Sequence, residues 1–362
     1  MARNLVLCLD GTSNEPESDT TNVARLFEAA AKTPTQVVYY DPGVGTMGAR
    51  GAVTAWGKQA TRVAGLVGGF GIKDNIEEAY TFLVQHWQPG DAIYLFGFSR
   101  GAYTARALAG MMRTVGLLRP GAENLVPYAL KLYAKPGRLD ATHDQEKQFW
   151  AVRSGFTQKF GNPDFPHPFD PHRKQVRFVG VWDTVKSVGW LNLRARIEQA
   201  HWPFTHKLSN VELARHAMAI DERRRPFPEY RFDPDVVAAS EGRFLEMWFA
   251  GVHSDVGGQF PDDHRLSDLA FAWLLEEAAA AGLEVDDKAY RRLLKVRRGQ
   301  PLPDDLPLGK IHPNGRVWML AGGWRRREIL PGDPVHPSVY RRIEATGGTA
   351  TPYRPRLPQP PR

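Results

Sequence analysis

A serine between two glycines offers the clearest chemistry in this chain of 362 residues. Residues 97–101 read Gly-Phe-Ser-Arg-Gly and lie between an apolar run and a segment rich in helix-forming residues. This pattern between a strand and a helix is typical of a nucleophile elbow, a sharp turn that exposes the serine hydroxyl. Gly97 and Gly101 fit that turn because larger side chains would clash there. The alternative is an ordinary turn in which Ser99 caps the helix.

A serine nucleophile needs a base, and the base needs an acid that orients it. In α/β hydrolases the acid and then the histidine follow later strands of the sheet. Asp183 directly follows one apolar run and His253 directly follows another, so we predict Ser99, Asp183 and His253 as the catalytic residues. Asp255 could orient the base or shape its loop instead. The other histidines lack a preceding strand, lie in irregular segments or have no matching acid.

An oxyanion hole requires two N–H donors that point at the developing negative charge. The first predicted donor is the backbone of Arg100, which follows the nucleophile. The second is Gly11 or Thr12, in the loop after the first apolar run, where a glycine permits close backbone approach. Asp10 is a supporting residue of this loop. The alternative is a tight Asp-Gly turn in which Asp10 bonds its own backbone.

Other chemistries fit the residues less well. Asp10-Gly11-Thr12 resembles the signature of haloacid-dehalogenase-like phosphatases, but Cys8 stands where their nucleophilic aspartate is required. His253 and Asp255 have the spacing of metal ligands, yet no third ligand is evident nearby. We therefore predict no metal and no cofactor. The single cysteine excludes an internal disulfide and cysteine-rich zinc modules.

The elements that must position these residues are short apolar runs that end in turn residues. There are five of them: Leu5–Leu9, Val37–Tyr40, Ala92–Phe96, Val176–Trp182 and Phe244–Val252. Runs of this kind are typical of strands buried on both faces of a parallel sheet. Helical patterns lie between them, with apolar residues on one face at Ile72, Ile76, Tyr80, Leu83 and Trp87. The alternation predicts an α/β fold, α/β-hydrolase-like, with a mostly parallel central sheet flanked by helices.

Two long segments interrupt this alternation. Residues 119–175 and 190–243 carry prolines and aromatic residues without a clear period. We predict that they are lid- or cap-like insertions, the alternative being surface decoration. The expected organisation is one α/β hydrolase domain over residues 1–345, followed by a proline-rich tail over 346–362.

The positive charge is concentrated in one segment. The formal net charge is +7, yet residues 288–327 alone carry 11 Lys and Arg against two Asp. This segment could hold an anionic surface such as phospholipid, or it could be a solvated face. No stretch has the length and apolarity of a membrane span or signal peptide. We therefore expect a chain that is cytoplasmic as synthesised, with export by a signal-less route still open.

Several motifs together resemble the family of uncharacterised α/β hydrolase domains that includes the phospholipase effectors of bacterial type VI secretion. Their positions are 9–12 (LDGT), 40–46 (YDPGVGT), 97–102 (GFSRGA), 181–185 (VWDTV), 215–224 (RHAMAIDERR), 248–258 (WFAGVHSDVGG), 266–270 (LSDLA) and 335–339 (VHPSV). The resemblance covers residues 3–345. It implies a Ser-Asp-His hydrolase at the three positions chosen above, and lipid ester substrates. The sequence shows no obvious extra membrane-binding domain like that of the larger effectors, so we do not expect one within these residues.

The expected function is therefore a serine hydrolase of carboxylic esters, of the lipase or phospholipase type, that forms an acyl-enzyme. A general carboxylesterase or thioesterase that acts on small soluble substrates is the alternative within the same chemistry. A non-catalytic binding protein on a hydrolase scaffold is the alternative outside it. The expected partners are a lipid or other ester substrate, an anionic membrane surface and, for an effector, an immunity protein. No nucleic acid is expected.

Overall fold

The structure, a computed structural model, describes residues 2–11, 20–43, 71–135, 142–170, 172–186, 202–315 and 323–358. Within these ranges the strands are β1 Asn4–Leu9, β2 Gln36–Asp41, β3 Ala92–Phe98, β4 Val176–Trp182, β5 Val211–Ala219 and β6 Phe244–Phe249. The α-helices are α1 Asn22–Ala29, α2 Ile72–His86, α3 Arg100–Val115, α4 Val126–Ala134, α5 His143–Phe160, α6 Pro234–Ala238, α7 His253–Gly257, α8 Arg265–Ala280, α9 Asp287–Leu294 and α10 Pro337–Thr346.

The described strands form one parallel sheet in the order β2-β1-β3-β4-β5-β6. The chain moves from β1 outward to β2 and then crosses back to β3 on the other side of β1. The carboxyl ends of β1 and β3 therefore flank a topological switch point, the usual place for a ligand crevice in an open α/β sheet. The parallel sheet flanked by helices confirms the predicted fold class.

Both faces of the sheet are buried. Along β1, Leu5, Leu7 and Leu9 pack in the hydrophobic cluster that holds α2, α3 and α4. Val6 and Cys8 point to the opposite face, in the cluster that holds α1, α8 and α9. This period-two alternation of apolar residues into two helical layers explains why the runs are almost continuously apolar.

All five predicted runs form strands, but the sheet has a sixth strand that the apolar pattern did not reveal. Strand β5 lies inside the segment 190–243, which we had interpreted as an insertion. Polar residues break its apolar run, and each has a polar partner elsewhere in the fold: Glu212 with Arg177, Arg215 with Glu277 and His216 with Glu246. Part of this segment therefore belongs to the sheet.

The segment 119–175 also contains regular structure. Helices α4 and α5 lie in it, and α5 begins at a capping box formed by Thr142 and Gln145. Most of the α5 side chains are exposed or half-buried, with only Arg153 and Phe156 buried. An exposed helix of this kind has a weak apolar period, which explains why the helical pattern was not recognised.

Among the helices that the structure describes, none is both long enough and apolar enough to cross a membrane.

Candidate active site

The turn at Ser99 has the geometry that its two glycines predict. Ser99 joins β3 to α3 with φ 58° and ψ −119°, a backbone conformation that L residues rarely adopt. A Cβ at Gly97 would lie 2.4 Å from the carbonyl oxygen of Gly101, and one at Gly101 would lie 2.1 Å from that of Leu9. Ser99 does not cap α3 through its side chain, so the alternative of an ordinary capping serine does not hold.

The structure brings the three predicted side chains into one hydrogen-bonded chain. The Nε2 atom of His253 lies 2.9 Å from Ser99 Oγ, and its Nδ1 atom lies 2.6 Å from Asp183 Oδ2. Ser99 follows β3, Asp183 follows β4 and His253 follows β6 as the first residue of α7. Because parallel strands present their carboxyl ends at one edge, residues far apart in sequence meet there.

The His253 ring is buried between aromatic side chains. Its centroid lies 4.6 Å from that of Phe98 and 5.1 Å from that of Phe227. Burial lowers the pKa of His253 below its usual value, although the hydrogen bond and the charge of Asp183 act in the opposite direction. The imidazole is therefore neutral near pH 7, the state in which Nε2 can accept a proton from a serine hydroxyl.

Arg327 is a partner of Asp183 that no sequence pattern indicated. Its guanidinium contacts both carboxylate oxygens of Asp183, at 2.5 and 2.9 Å, and also donates to the carbonyl oxygens of Ala219 and Phe227. Burial alone would raise the pKa of Asp183, but the charge of Arg327 and the hydrogen bond from His253 lower it well below its usual value. Asp183 is therefore ionised throughout the physiological range.

Glu222 is a second supporting residue that sequence reasoning missed. This buried carboxylate accepts a hydrogen bond of 3.2 Å from the backbone N–H of His253. Arg224 holds it through side-chain contacts of 2.8 and 2.9 Å. Both residues belong to the motif at 215–224 that carried the family resemblance, although the motif itself did not indicate their role. They fix the backbone from which the His253 ring projects.

The loop after β1 lies against the elbow, but the predicted oxyanion donor Gly11 bonds within the loop itself. The N–H of Gly11 donates to Asp10 Oδ1 at 2.7 Å, which is the tight-turn alternative. The other carboxylate oxygen of Asp10 accepts from the hydroxyls of Thr21 and Tyr40. Thr12 lies outside the described residues. Arg100 is the first residue of α3, so its N–H lies at the positive end of the helix dipole.

Asp255 shapes the loop of His253 and does not bond its ring. One carboxylate oxygen accepts from the backbone N–H groups of Val252 and His312, at 2.9 and 3.1 Å. The other lies 2.6 Å from Nδ1 of His312, whose Nε2 lies 2.9 Å from Asp262. His312, which we had set aside because no acid accompanies it in the sequence, therefore lies between two carboxylates.

A second buried histidine–carboxylate pair lies next to Asp183. The backbone N–H of Thr184 donates to Nε2 of His216 at 3.1 Å, so the ring proton is on Nδ1, which faces Glu246 at 3.0 Å. Burial lowers the pKa of His216 to about 4. This neutral ring holds the backbone beside Asp183. In the described ranges, no group of three or more His, Cys, Asp and Glu residues could hold a metal ion.

Comparisons with known proteins identify the family of the chain. Residues 3–277 match the family model of the Tle1-like phospholipase effector of type VI secretion, catalytic domain. An uncharacterized protein of Saccharomyces cerevisiae is 32% identical over 241 residues, which are 64% of this chain and 33% of the yeast protein. The chain therefore spans about a third of the length of that relative.

Two solved structures are similar at low identity. An uncharacterized protein from Pseudomonas aeruginosa is 19% identical, with a TM-score of 0.41, over 79% of this chain and 46% of that chain. The Tle1 effector bound to the VgrG spike of a type 6 secretion system is 19% identical, with a TM-score of 0.35, over 72% of this chain and 52% of that chain. The family model describes the catalytic domain and covers most of the chain. The chain therefore belongs to the Tle1-like family of type VI secretion phospholipase effectors.

Proposed function

We propose that this protein is a serine hydrolase of carboxylic esters, of the lipase or phospholipase type, and that Ser99, His253 and Asp183 are its catalytic triad. The observation that carries the proposal is the hydrogen-bonded chain from Ser99 Oγ through His253 to Asp183. Its three members are 8% exposed or less, so the nucleophile meets its base in a site of low dielectric constant.

The proposed reaction has two stages. His253 Nε2 takes the Ser99 proton as Oγ attacks the ester carbonyl, and the resulting imidazolium is stabilised by Asp183. The imidazolium then protonates the leaving alcohol, and an acyl group remains on Ser99. In the second stage His253 activates a water molecule that releases the acid and restores Ser99.

For the oxyanion of this reaction we propose the N–H of Arg100 as the first donor. The loop that contains Gly11 and Thr12 is the proposed source of the second donor. Gly11 can serve only if its N–H turns away from Asp10, which accepts it at 2.7 Å. In that arrangement the oxyanion would replace a carboxylate oxygen of Asp10 as the acceptor of this N–H.

A lipid ester substrate is proposed from the family, whose model describes phospholipase effectors. Profiling across phospholipids, triglycerides and short soluble esters tests this substrate class. Turnover of esters whose acyl chains are long enough for the substrate to form micelles supports a lipid substrate. Cleavage confined to short soluble esters would instead identify a general carboxylesterase or thioesterase.

The first prediction concerns the nucleophile. Replacing Ser99 by Ala should lower kcat on a short acyl ester by about three orders of magnitude or more, because no other group can form the acyl-enzyme. Ser240→Ala is the matched control: this serine is buried as well, but its hydroxyl bonds only local backbone. A fluorophosphonate probe should label Ser99 in the native protein and fail to label the His253→Ala variant. Full activity in Ser99→Ala would contradict the proposed catalytic triad.

A further inference from the structure

A pocket of about 540 Å³ lies beside the loop that carries His253. Its lining includes Val252, which directly precedes His253, and Asp221, which directly precedes Glu222. Arg223, Arg326, Trp324 and Asn314 line it as well. The volume lies within the range of pockets that bind small ligands, roughly 300–1,000 Å³. None of these side chains forms part of the proposed triad.

A short antiparallel pairing builds one wall of this pocket. The backbone N–H of Arg325 donates to the carbonyl of Arg223 at 2.7 Å, and that of Arg225 donates to the carbonyl of Gly323 at 3.1 Å. Side chains alternate along such a pairing. Arg327 points inward to Asp183, while its neighbour Arg326 lines the pocket.

The two pocket arginines differ from their neighbours in their ion pairs. Among the residues that the structure describes, neither Arg223 nor Arg326 has a carboxylate within the 4.0 Å of an ion pair. Their neighbours in the same pairing differ, since Arg224 pairs with Glu222 and Arg327 with Asp183. Two guanidinium groups that line one concave site, and that form no ion pair within the described ranges, attract an anion.

The acidic residue of the pocket is already occupied by other groups. Asp221 accepts hydrogen bonds from the Gly251 N–H at 2.9 Å and from the Tyr353 hydroxyl at 2.8 Å, both on Oδ2. Burial raises the pKa of Asp221, while its hydrogen bonds and the charge of the nearby Arg223 act in the opposite direction. These bonds reduce its competition for the arginines, so the pocket retains a net attraction for negative charge.

We propose that this pocket binds a phosphate group, through Arg223 and Arg326, and that the phosphate is that of a lipid headgroup whose ester lies at Ser99. Guanidinium groups match phosphate oxygens in geometry and charge, and the exposed indole of Trp324 offers an apolar face to the adjoining glycerol or headgroup carbons. The proposal rests on the ester hydrolase function given above and adds its headgroup selectivity.

The first test compares two lipids that differ in the phosphate. In mixed micelles of a neutral detergent, kcat/KM is measured for phosphatidylglycerol and for diacylglycerol with the same acyl chains. In Arg223→Gln/Arg326→Gln the ratio of phosphatidylglycerol to diacylglycerol hydrolysis should fall about tenfold or more, mainly through KM, since a hydrogen bond to a charged group carries a factor of that size. Arg225→Gln removes an exposed charge of the same pairing outside the pocket and should leave the ratio within about twofold of the native value.

An unchanged ratio in the double variant overturns the proposal, and so does an equal fall in Arg225→Gln, which would indicate attraction by net charge alone. A thermal melt of each variant checks that the fold is retained. Failure of the ester hydrolase function is distinguishable, because the native protein would then cleave neither lipid nor short soluble esters.

A binding measurement separates the headgroup from free phosphate. Calorimetry on Ser99→Ala, with a soluble short-chain phosphatidylglycerol and with inorganic phosphate as the two ligands, requires no turnover. Binding of the lipid that falls at least tenfold when Arg223→Gln/Arg326→Gln is added supports the proposal. Equally tight binding of inorganic phosphate that is lost in the same double variant, with no effect of the arginines on the lipid, would assign the pocket to free phosphate and overturn the headgroup assignment.

Discussion

Arg327 changes how the acid of the proposed triad works. An aspartate whose only charged partner is the histidine stabilises the imidazolium with its full negative charge. The charge of Asp183 is instead partly neutralised by a buried guanidinium. This ion pair keeps Asp183 ionised and at the same time reduces the stabilisation of a charged His253 ring. Arg327 is therefore expected to act as a positioning residue and to lower the basicity of the histidine.

Substitution of Arg327 tests this role. In Arg327→Met the acid limb of the kcat/KM profile should move to higher pH, because loss of a positive charge beside Asp183 raises the pKa of His253. Stability should fall by about 3–5 kcal/mol, as expected when one partner of a buried ion pair is removed. Arg325→Met, on the same backbone pairing but exposed, is the control. A variant that loses only stability, with an unmoved pH profile, would indicate a purely structural role.

The native protein should show a related pH dependence. Burial lowers the pKa of His253 below 6.5, so its neutral form persists into mildly acidic solution. The kcat/KM for a short soluble ester should therefore fall only below pH 6.5, with a single protonation. Asp183, whose pKa is well below its usual value, should contribute no second limb near neutral pH. An apparent pKa above 7 would contradict this assignment.

At the scale of elements, the elbow depends on two glycines that have no room for a methyl group. Gly101→Ala should abolish hydrolysis and lower the melting temperature, because its Cβ would lie 2.1 Å from a carbonyl oxygen of β1, which is backbone and cannot move aside. Gly155→Ala on α5 is the matched control, since nothing lies within 4 Å of its Cβ. It should stabilise the protein by up to about 1 kcal/mol through helix propensity. Equal effects of the two substitutions would argue against the strained elbow.

Asp183 and His253 could be predicted from the sequence because each directly follows an apolar run, and a strand end is a position that a local pattern reveals. Ser99 could be predicted because two glycines flank it between such a run and a helical segment. Strand β5 could not be predicted from the sequence, since its polar residues are paired only with residues on other elements. His216 and His312 were set aside for the same reason: their carboxylates, Glu246 and Asp255, are neighbours in space and not in sequence. The positive φ of Asp183 also has no local signature.

The molecule as a whole should lose stability in acid partly through His216. Its pKa is about 4 in the folded protein against 6.5 in the unfolded chain, so the unfolded state binds a proton between these values that the folded state excludes. The contribution of His216 to the free energy of unfolding is complete above pH 6.5 and is lost as the pH falls toward 4. At pH 4.5 the loss is roughly 2 kcal/mol.

Urea unfolding at pH 7 and pH 4.5 measures this contribution. The loss of unfolding free energy between the two pH values should be smaller in His216→Gln than in the native protein. His143→Gln removes an exposed histidine and should keep the native pH dependence. An identical pH dependence in all three proteins would show that His216 does not control acid stability.

The contact between Asp183 and Arg327 also sets the limits of the smallest unit that can be studied on its own. The match to the catalytic-domain family ends at residue 277, fifty residues before Arg327. A truncation at that boundary would retain Ser99, Asp183 and His253 and leave a buried carboxylate without its counter-ion. A minimal expression fragment should therefore extend at least through Arg327, and loss of activity in a shorter one would not be informative about the triad.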